Sequence, residues 1–496
     1  MTPERIAYRF GPLERRGLLG PVRLGQAIVL AVGTVIAIGI LDEWPIAGGA
    51  VAATLSFAGA AALALAPIGR RAAEEWLPIA ISFALRRLFG RARFRSLAPT
   101  RGNIAGRLDQ RLPLIGAANP DPPPPVRDVR ILEAEYRDRC VGVLASQRGR
   151  RLVAVLACRV VGFSLLDAEA QERRLARWGL ALSGAAGTPI RRLQWLERTV
   201  PAQGDELARW VAGERDPTIP LRGTAMIDSY LELIGTSARV SQEHEILVAV
   251  EVDSRRIHGS RTPTETLLEQ SSRVAQALEA AEVKVLGALN PGQVARALRT
   301  AFDPYARSEL AALETADPKR DGPGEAGAWP LGSSESWDHY RSDGALHATF
   351  WIGSWPRVDV SPMFMDALLG RSNIVRTVAV TFEPIPPDRS TREVEAAITR
   401  DQADRELRHR FGQSETARQR QAGEATARRE SELAAGHGEV RLAGFVTVSG
   451  RDLDDLRRAC SEIHEHGARA RLELHRMYGQ QADAFTFTLP LCRGLR

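Results

Sequence analysis

Residues 24–68 read LGQAIVLAVGTVIAIGILDEWPIAGGAVAATLSFAGAAALALAPI. Two uncharged apolar runs, Leu24–Leu41 and Ile46–Ile68, are separated only by Asp42-Glu43-Trp44-Pro45. A helix that crosses a bilayer needs roughly 17–25 apolar residues, and each run has that length. Four residues are too few to recross the bilayer, so the spacing predicts a transmembrane helical hairpin over 24–68. A buried hairpin in a soluble core is the alternative. A cleaved signal peptide fits poorly, because its apolar core runs roughly 7–15 residues and here a second run follows at once.

Arg5, Arg9, Arg15, Arg16 and Arg23 precede the first run, and Arg70, Arg71, Arg86 and Arg87 follow the second. The link between them carries only acids. Basic residues stay on the cytoplasmic side. The expectation is a plasma-membrane protein with two spans and both termini cytoplasmic.

The chain has 496 residues and a net charge of +6. Of its 66 basic residues, only Lys284 and Lys319 are lysine, a bias of GC-rich coding rather than of a binding surface. The excess charge sits in 69–111, where ten arginines face three acids (Glu74, Glu75, Asp109). Next to a membrane such a segment attracts anionic lipid. Nucleic-acid binding there is secondary, and no direct contact with nucleic acid is expected. Cys140, Cys158, Cys460 and Cys492 form no C-x-x-C pair, which fits structural thiols in a reduced compartment.

Six segments follow from the pattern: a cytoplasmic 1–23, the hairpin 24–68, a basic juxtamembrane helix and Pro-rich linker over 69–125, an α+β domain over 126–302, a long loop over 303–345, and a second α+β part over 346–496. In 72–90, Trp76, Ile79, Ala80 and Phe83 share one helical face, predicting an interfacial helix lying on headgroups, with a core helix as the alternative. Prolines 122–125 predict a stiff extended linker. Strands are predicted at 129–136, 141–147, 152–163, 190–199, 245–253, 283–289, 347–352, 374–384, 440–448 and 484–489. Helices are predicted at 167–185, 223–239, 264–282 with Thr264 as a cap, 291–301, near 362–369, and 453–468. Segment 390–435 is highly charged and poor in large apolar residues, and reads as an exposed antiparallel helical arm. The fold class is α+β with mixed sheets, closing in a small split βαβ unit.

The search for chemistry is nearly empty. A phosphate-cradling loop needs G-x-x-x-x-G-K-[ST]. Lys284 precedes Val285 and Lys319 precedes Arg320, so neither serves. His464 and His466 are two apart on a helix, whereas helical metal ligands want spacings of three or four. Asp452, Asp454 and Asp455 read as helix-capping acids. Trp329, Trp337, Trp351 and Trp355 form either an interaction surface or core. No catalytic, cofactor-binding or metal-binding residue is predicted, and no enzymatic activity.

The closing run Glu473–Leu491 (ELHRMYGQQADAFTFTLPL) resembles the end of the N-terminal, non-motor domain of the conjugation ATPases of type IV secretion systems. There an L-x-x-x-x-G-Q-Q run leads into a strand ending in T-L-P, and the motor domain follows. The arm between strands 374–384 and 440–448 is similar to the same domain. The hairpin with Glu74-Glu75-Trp76-Leu77-Pro78 resembles the PrgI-type membrane component of those systems, which some actinobacterial members fuse to that domain. The likeness covers about residues 10–95 and, more weakly, 126–491. It departs from the family where the motor domain would begin, so no nucleotide-binding residue is carried over. The resemblance implies a structural membrane component that docks a separately encoded hexameric ATPase, assembles with other secretion-channel subunits, and forms a homo-oligomeric ring. The rival expectations are a scaffold of another actinobacterial secretion system and an enzyme acting at the membrane face.

Overall fold

The computed structural model describes residues 24–65, 67–68, 71–96, 121–160, 162–201, 229, 242–257, 261–307, 324–356, 360–370, 372–410, 417–434 and 438–495. The chain divides into two compact units, one of residues 12–93 and one of residues 94–496 with the first eleven.

The smaller unit holds α1 (Leu24–Glu43), α2 (Ala47–Leu65) and α3 (Ala73–Leu88). Gln26–Glu43 and Ala47–Ala64 are each long and apolar enough to cross a membrane, and only 6% and 17% of these windows are buried. Their large side chains point outward: Val35 is 69% exposed and Leu55 67%. The helices close on each other through small residues. A Cβ on Gly33 would stand 2.3 Å from that of Ala60, so only glycine permits this crossing. Polar groups are satisfied internally: Gln26 Nε2 donates to Ala64 O at 3.0 Å, and the Thr34 and Thr54 hydroxyls donate one turn back.

The larger unit is one thirteen-stranded sheet. Its strands are β1 (Arg93–Arg95), β2 (Arg130–Tyr136), β3 (Arg139–Ser146), β4 (Arg151–Arg159), β5 (Ile190–Pro201), β6 (Gln242–Asp253), β7 (Lys284–Ala288), β8 (Gly332–Glu335), β9 (Tyr340–Ser342), β10 (Ala345–Ser354), β11 (Val375–Ile385), β12 (Glu439–Gly450) and β13 (Glu473–Arg476). The order is β1-β8-β9-β10-β12-β11-β5-β6-β4-β3-β2, with β13 beside β10 and β7 beside β4. The helices are α4 (Ala168–Gly184), α5 (Pro263–Ala280), α6 (Pro291–Phe302), α7 (Pro387–Arg410), α8 (Ala417–Ala434), α9 (Leu453–Arg469) and α10 (Gln481–Phe485).

Chain order and sheet order together reveal a duplication. β4-α4-β5-β6-α5-β7 is a split βαβ unit with sheet order β7-β4-β6-β5. β10, a one-turn helix at Asp366–Leu369, β11, β12, α9 and β13 repeat it with order β13-β10-β12-β11. A hairpin precedes each unit, β2-β3 and β8-β9, and its second strand pairs with the start of β4 or β10. The two units meet along antiparallel β5 and β11, from Arg376 opposite Thr199 to Phe382 opposite Leu193.

Both sheet faces are covered, which explains the unbroken apolar runs. Leu152 to Leu156 and Leu247 to Val250 are all 5% exposed or less. One face packs on α4 and α5 and, in the second unit, on α9. Trp195 on the seam touches the core of each unit. The other face holds a single core across both units, built from α6, α10 and the closing residues through Cys492.

Several expectations are corrected. The sheet is not mixed: every pairing of defined register is antiparallel, because split βαβ crossovers skip a neighbour. The 303–345 segment is not simply a loop, since β8 and β9 lie in it. The cap of α5 is Thr262, not Thr264, in a capping box with Glu265 and with Pro263 in the first turn. Prolines 122 and 123 are buried and Pro124–Val126 forms a 3-10 turn with Val126 fully enclosed, so the end of the proline run is body, not spacer. The expected strand 484–489 is α10 and a 3-10 turn at Thr486–Thr488. Thr486 and Thr488 each donate three residues back, and the segment lies over a sheet face where no ladder edge is offered. Apart from residue 229, the expected helix 223–239 lies outside the described residues. The arm is present as antiparallel α7 and α8, with Thr426 Oγ1 bonded to Asp401.

A buried histidine ties α6 to the second split βαβ unit. His347 on β10 is fully enclosed; its Nε2 lies 3.0 Å from Phe302 O at the end of α6 and its Nδ1 2.8 Å from Ser449 Oγ. The carbonyl accepts only, so Nε2 carries the proton. Burial pushes this imidazole down to about 4, against the Phe302 bond that favours the charged form. Its contribution is complete above about pH 6.5 and is lost as pH falls toward 4. His347→Leu should cost about 2–3 kcal/mol at pH 7 by loss of these bonds. The gap in Tm from the unmodified protein should narrow as pH falls through that window, and a gap independent of pH counts against this role.

Candidate functional site

Sequence reasoning singled out no catalytic group, and the structure shows where the described residues that it weighed lie. Asp452 caps α9, accepting from the Asp454 and Asp455 amides at 3.0 and 2.8 Å. His464 packs edge-on against Phe350, while His466 lies 3.9 Å from Glu462. Among the described residues no cluster of histidine, cysteine or acid is arranged to hold a metal. Trp329 is core, 3% exposed and edge-on to Phe302. Trp351 stacks obliquely on His475, Trp355 packs with the second unit's core, and Trp337 is 37% exposed. The four therefore do not form one surface. Cys158, Cys460 and Cys492 are buried, and burial raises each thiol.

Gln481 of the closing motif has a clear task. Gly479 turns the chain with φ +68°, and Gln481, fully buried, presents its amide to β10. Its Oε1 accepts from Thr349 N at 2.9 Å, so the side chain mimics an extra strand. Gln194 on β5 repeats the device: it accepts from Cys492 N and donates to Phe487 O, both at 2.8 Å. A segment crossing a sheet face has no ladder partners, so polar side chains from the strands must serve its backbone.

Beside it lies the most unusual charge cluster. Arg192, 4% exposed, donates to the carbonyls of Leu495 at 2.8 Å and Cys492 at 3.3 Å, and pairs with Glu383 at 3.3 Å. Arg493 donates to Pro125 O and Asp128. Below them Glu251 is fully enclosed, with Arg191 at 3.5 Å and Arg151 at 3.8 Å, and neither carboxylate oxygen accepts a hydrogen bond. Burial pushes its carboxyl up to about 7, overcoming the three arginines. A cleft of about 360 Å³ opens above, lined by Asp128, Arg151, Arg192 and Arg493 among others. The cluster was missed because its members come from β4, β5, β6 and β11. The readable signal was one acid, Glu251, inside the apolar EILVAVEVD run.

The arm adds a second feature. Val394 and Ala397 anchor its base, 2% and 6% exposed, and Glu393 and Glu439 pair with Arg441 and Arg429. Beyond the base it carries charge of both signs and interrupts the second unit between β11 and β12. The matching connection of the first unit, between β5 and β6, is also long.

No protein-family model and no curated protein matches this chain.

The Glu251 carboxyl, raised above its ordinary 4.5, contributes stability that is complete below pH 4.5 and lost as pH rises through about 7. At 1.36 kcal/mol per unit this amounts to about 3 kcal/mol. Glu251→Gln should therefore gain in Tm relative to the unmodified protein between those pH values. Parallel pH profiles for the two proteins would show that Glu251 does not titrate in this window.

Proposed function

We propose that this chain is a structural membrane component of a type IV secretion or conjugation-like apparatus, anchoring and docking a separately encoded hexameric ATPase. The observation that carries the membrane half is the outward apolar surface of α1 and α2. Burying Val35, Leu55 and their neighbours in lipid removes from water side chains that this unit leaves exposed. Trp44, 63% exposed between the helices, suits a membrane-water interface. The arginines flanking the hairpin support a topology with both flanks on the cytoplasmic side of the plasma membrane.

The docking half rests on the arm and on the resemblance of the Gly479-Gln480-Gln481 run to the non-motor domain of secretion ATPases. The sequence carries no G-x-x-x-x-G-K-[ST] phosphate-binding loop, and in this reading hydrolysis belongs to the docked ATPase. The mechanism is positional. Tethering the motor to the bilayer raises its local concentration at the channel. A ring motor asks for a ring of such anchors, so the protein would form a homo-oligomer beside other channel subunits. A scaffold of another actinobacterial secretion system keeps the same anchor and body with a different client. Gentle detergent extraction from the native host, followed by mass spectrometry, separates the two: a stoichiometric ATPase without its own span supports docking, and other secretion components in its place support the alternative.

Replacing Val35 and Phe57 together by arginine should remove the protein from the membrane fraction or abolish its accumulation, since a mid-bilayer charge costs roughly 2.5–3.5 kcal/mol on insertion scales. Unchanged fractionation of that variant would falsify the hairpin. Excising 399–428 through a short Gly-Ser bridge keeps the anchoring Val394 and Ala397 while removing the outer arm. Membrane association should persist and ATPase recovery fall at least several-fold; full recovery assigns docking to another surface.

A further inference from the structure

α3 has two apolar faces, where a helix lying on a membrane surface has one. Ile79 and Phe83 are its buried residues, 7% and 9% exposed, and the helix packs against both α1 and α2. On the opposite side Leu77, Ile81, Leu85 and Leu88 are 44%, 50%, 47% and 78% exposed. Their spacing of four, four and three puts them in one stripe. Phe89, 68% exposed, continues it. The sequence-based expectation had assigned the lipid-facing side to Trp76, Ile79, Ala80 and Phe83, and the structure turns much of that face inward.

A surface helix needs a polar face for water. Between Leu77 and Leu85 the one polar side chain is Ser82, and its hydroxyl bonds Ile79 O at 2.9 Å. The apolar stretch is about 13 Å long at 1.5 Å per residue, too short to cross a hydrocarbon core of about 30 Å. Charge brackets it at both ends, Glu74 and Glu75 before, Arg86, Arg87, Arg91 and Arg93 after. Both ends therefore belong at headgroup level, and the helix lies along the leaflet.

We propose that α3 is embedded in the cytoplasmic leaflet, its outward stripe covered by acyl chains and the arginines at its C-terminal end engaging anionic phospholipid headgroups. The occupant is lipid because the stripe belongs to the same compact unit as the exposed apolar faces of α1 and α2, and because the adjoining charge is complementary to acidic lipid. The inference rests on the membrane reading of the hairpin and adds a third, non-crossing lipid contact.

The test uses the full chain in nanodiscs of phosphatidylcholine with phosphatidylglycerol. Nitroxide labels are placed singly at Ile81→Cys, Leu85→Cys, Val35→Cys and, on the arm, Glu430→Cys. Cys140→Ser is the background, since the other cysteines are buried. Labels at 35, 81 and 85 should be relaxed by oxygen and shielded from a water-soluble nickel chelate, with 430 the reverse. Nickel access at 81 and 85 with shielding at 35 overturns the embedding while the hairpin stands. Nickel access at 35 as well means the hairpin reading has failed too. Dipolar broadening at 81 and 85 that disappears on dilution with unlabelled protein assigns the stripe to a second copy and overturns the lipid assignment. The headgroup contact is read separately. Phosphatidylglycerol should raise Tm over pure phosphatidylcholine, and the Arg86→Gln, Arg87→Gln, Arg91→Gln variant should lose at least half of that increment. An undiminished increment overturns the headgroup part.

Discussion

Everything in the body depends on the antiparallel ladder between β5 and β11. Each split βαβ unit ends at its second strand, and an unpaired second strand would present a row of open amides and carbonyls. Joining the two second strands removes both edges at once. The helices of the two units lie on the same face, so the ladder relates them by an approximate two-fold axis normal to the sheet. Trp195 at this seam packs with both helical cores, which couples the units on that face as well as through the backbone.

The seam also creates the problem that the closing segment solves. Fusing two half-sheets leaves a broad second face, larger than α6 and α10 can cover. Residues 486–495 cross it, and their backbone must find partners away from any strand edge. Gln194, Thr381 and Arg192 supply them from the strands below. Burying arginines with so few strong acids costs desolvation, and the enclosed Glu251 is held among them without a direct hydrogen bond.

The two units of the chain expose different surfaces. One presents apolar side chains outward, with Gln26, Thr34 and Thr54 bonded internally, the surface that the proposed membrane anchor requires. The other hides its apolar strands on both faces and projects a charged helical pair. That division is what the proposed anchor with a docking body builds on.

Local signals were legible without the structure. Charge-free runs of spanning length define the two apolar helices, Asp452 and Pro291 mark helix starts, and the balanced charge of 390–435 marks the exposed arm. These properties depend on side chains near one another in sequence. The duplication was not legible, because long and unequal connections between β5 and β6 and between β11 and β12 obscure any period. The apolar runs hide which face is which, since both are covered. The closing FTFTL alternation suggests a strand, yet it lies over a face with no edge to join. Likewise the apolar side of α3 that faces outward is chosen by its packing against α1 and α2, and the charge cluster around Glu251 exists only once four strands are laid side by side. What the sequence alone determined was the chemistry of each segment. Which segments meet, and which faces are left over for lipid or a partner, was decided by tertiary pairing, because contacts between residues hundreds of positions apart leave no local pattern.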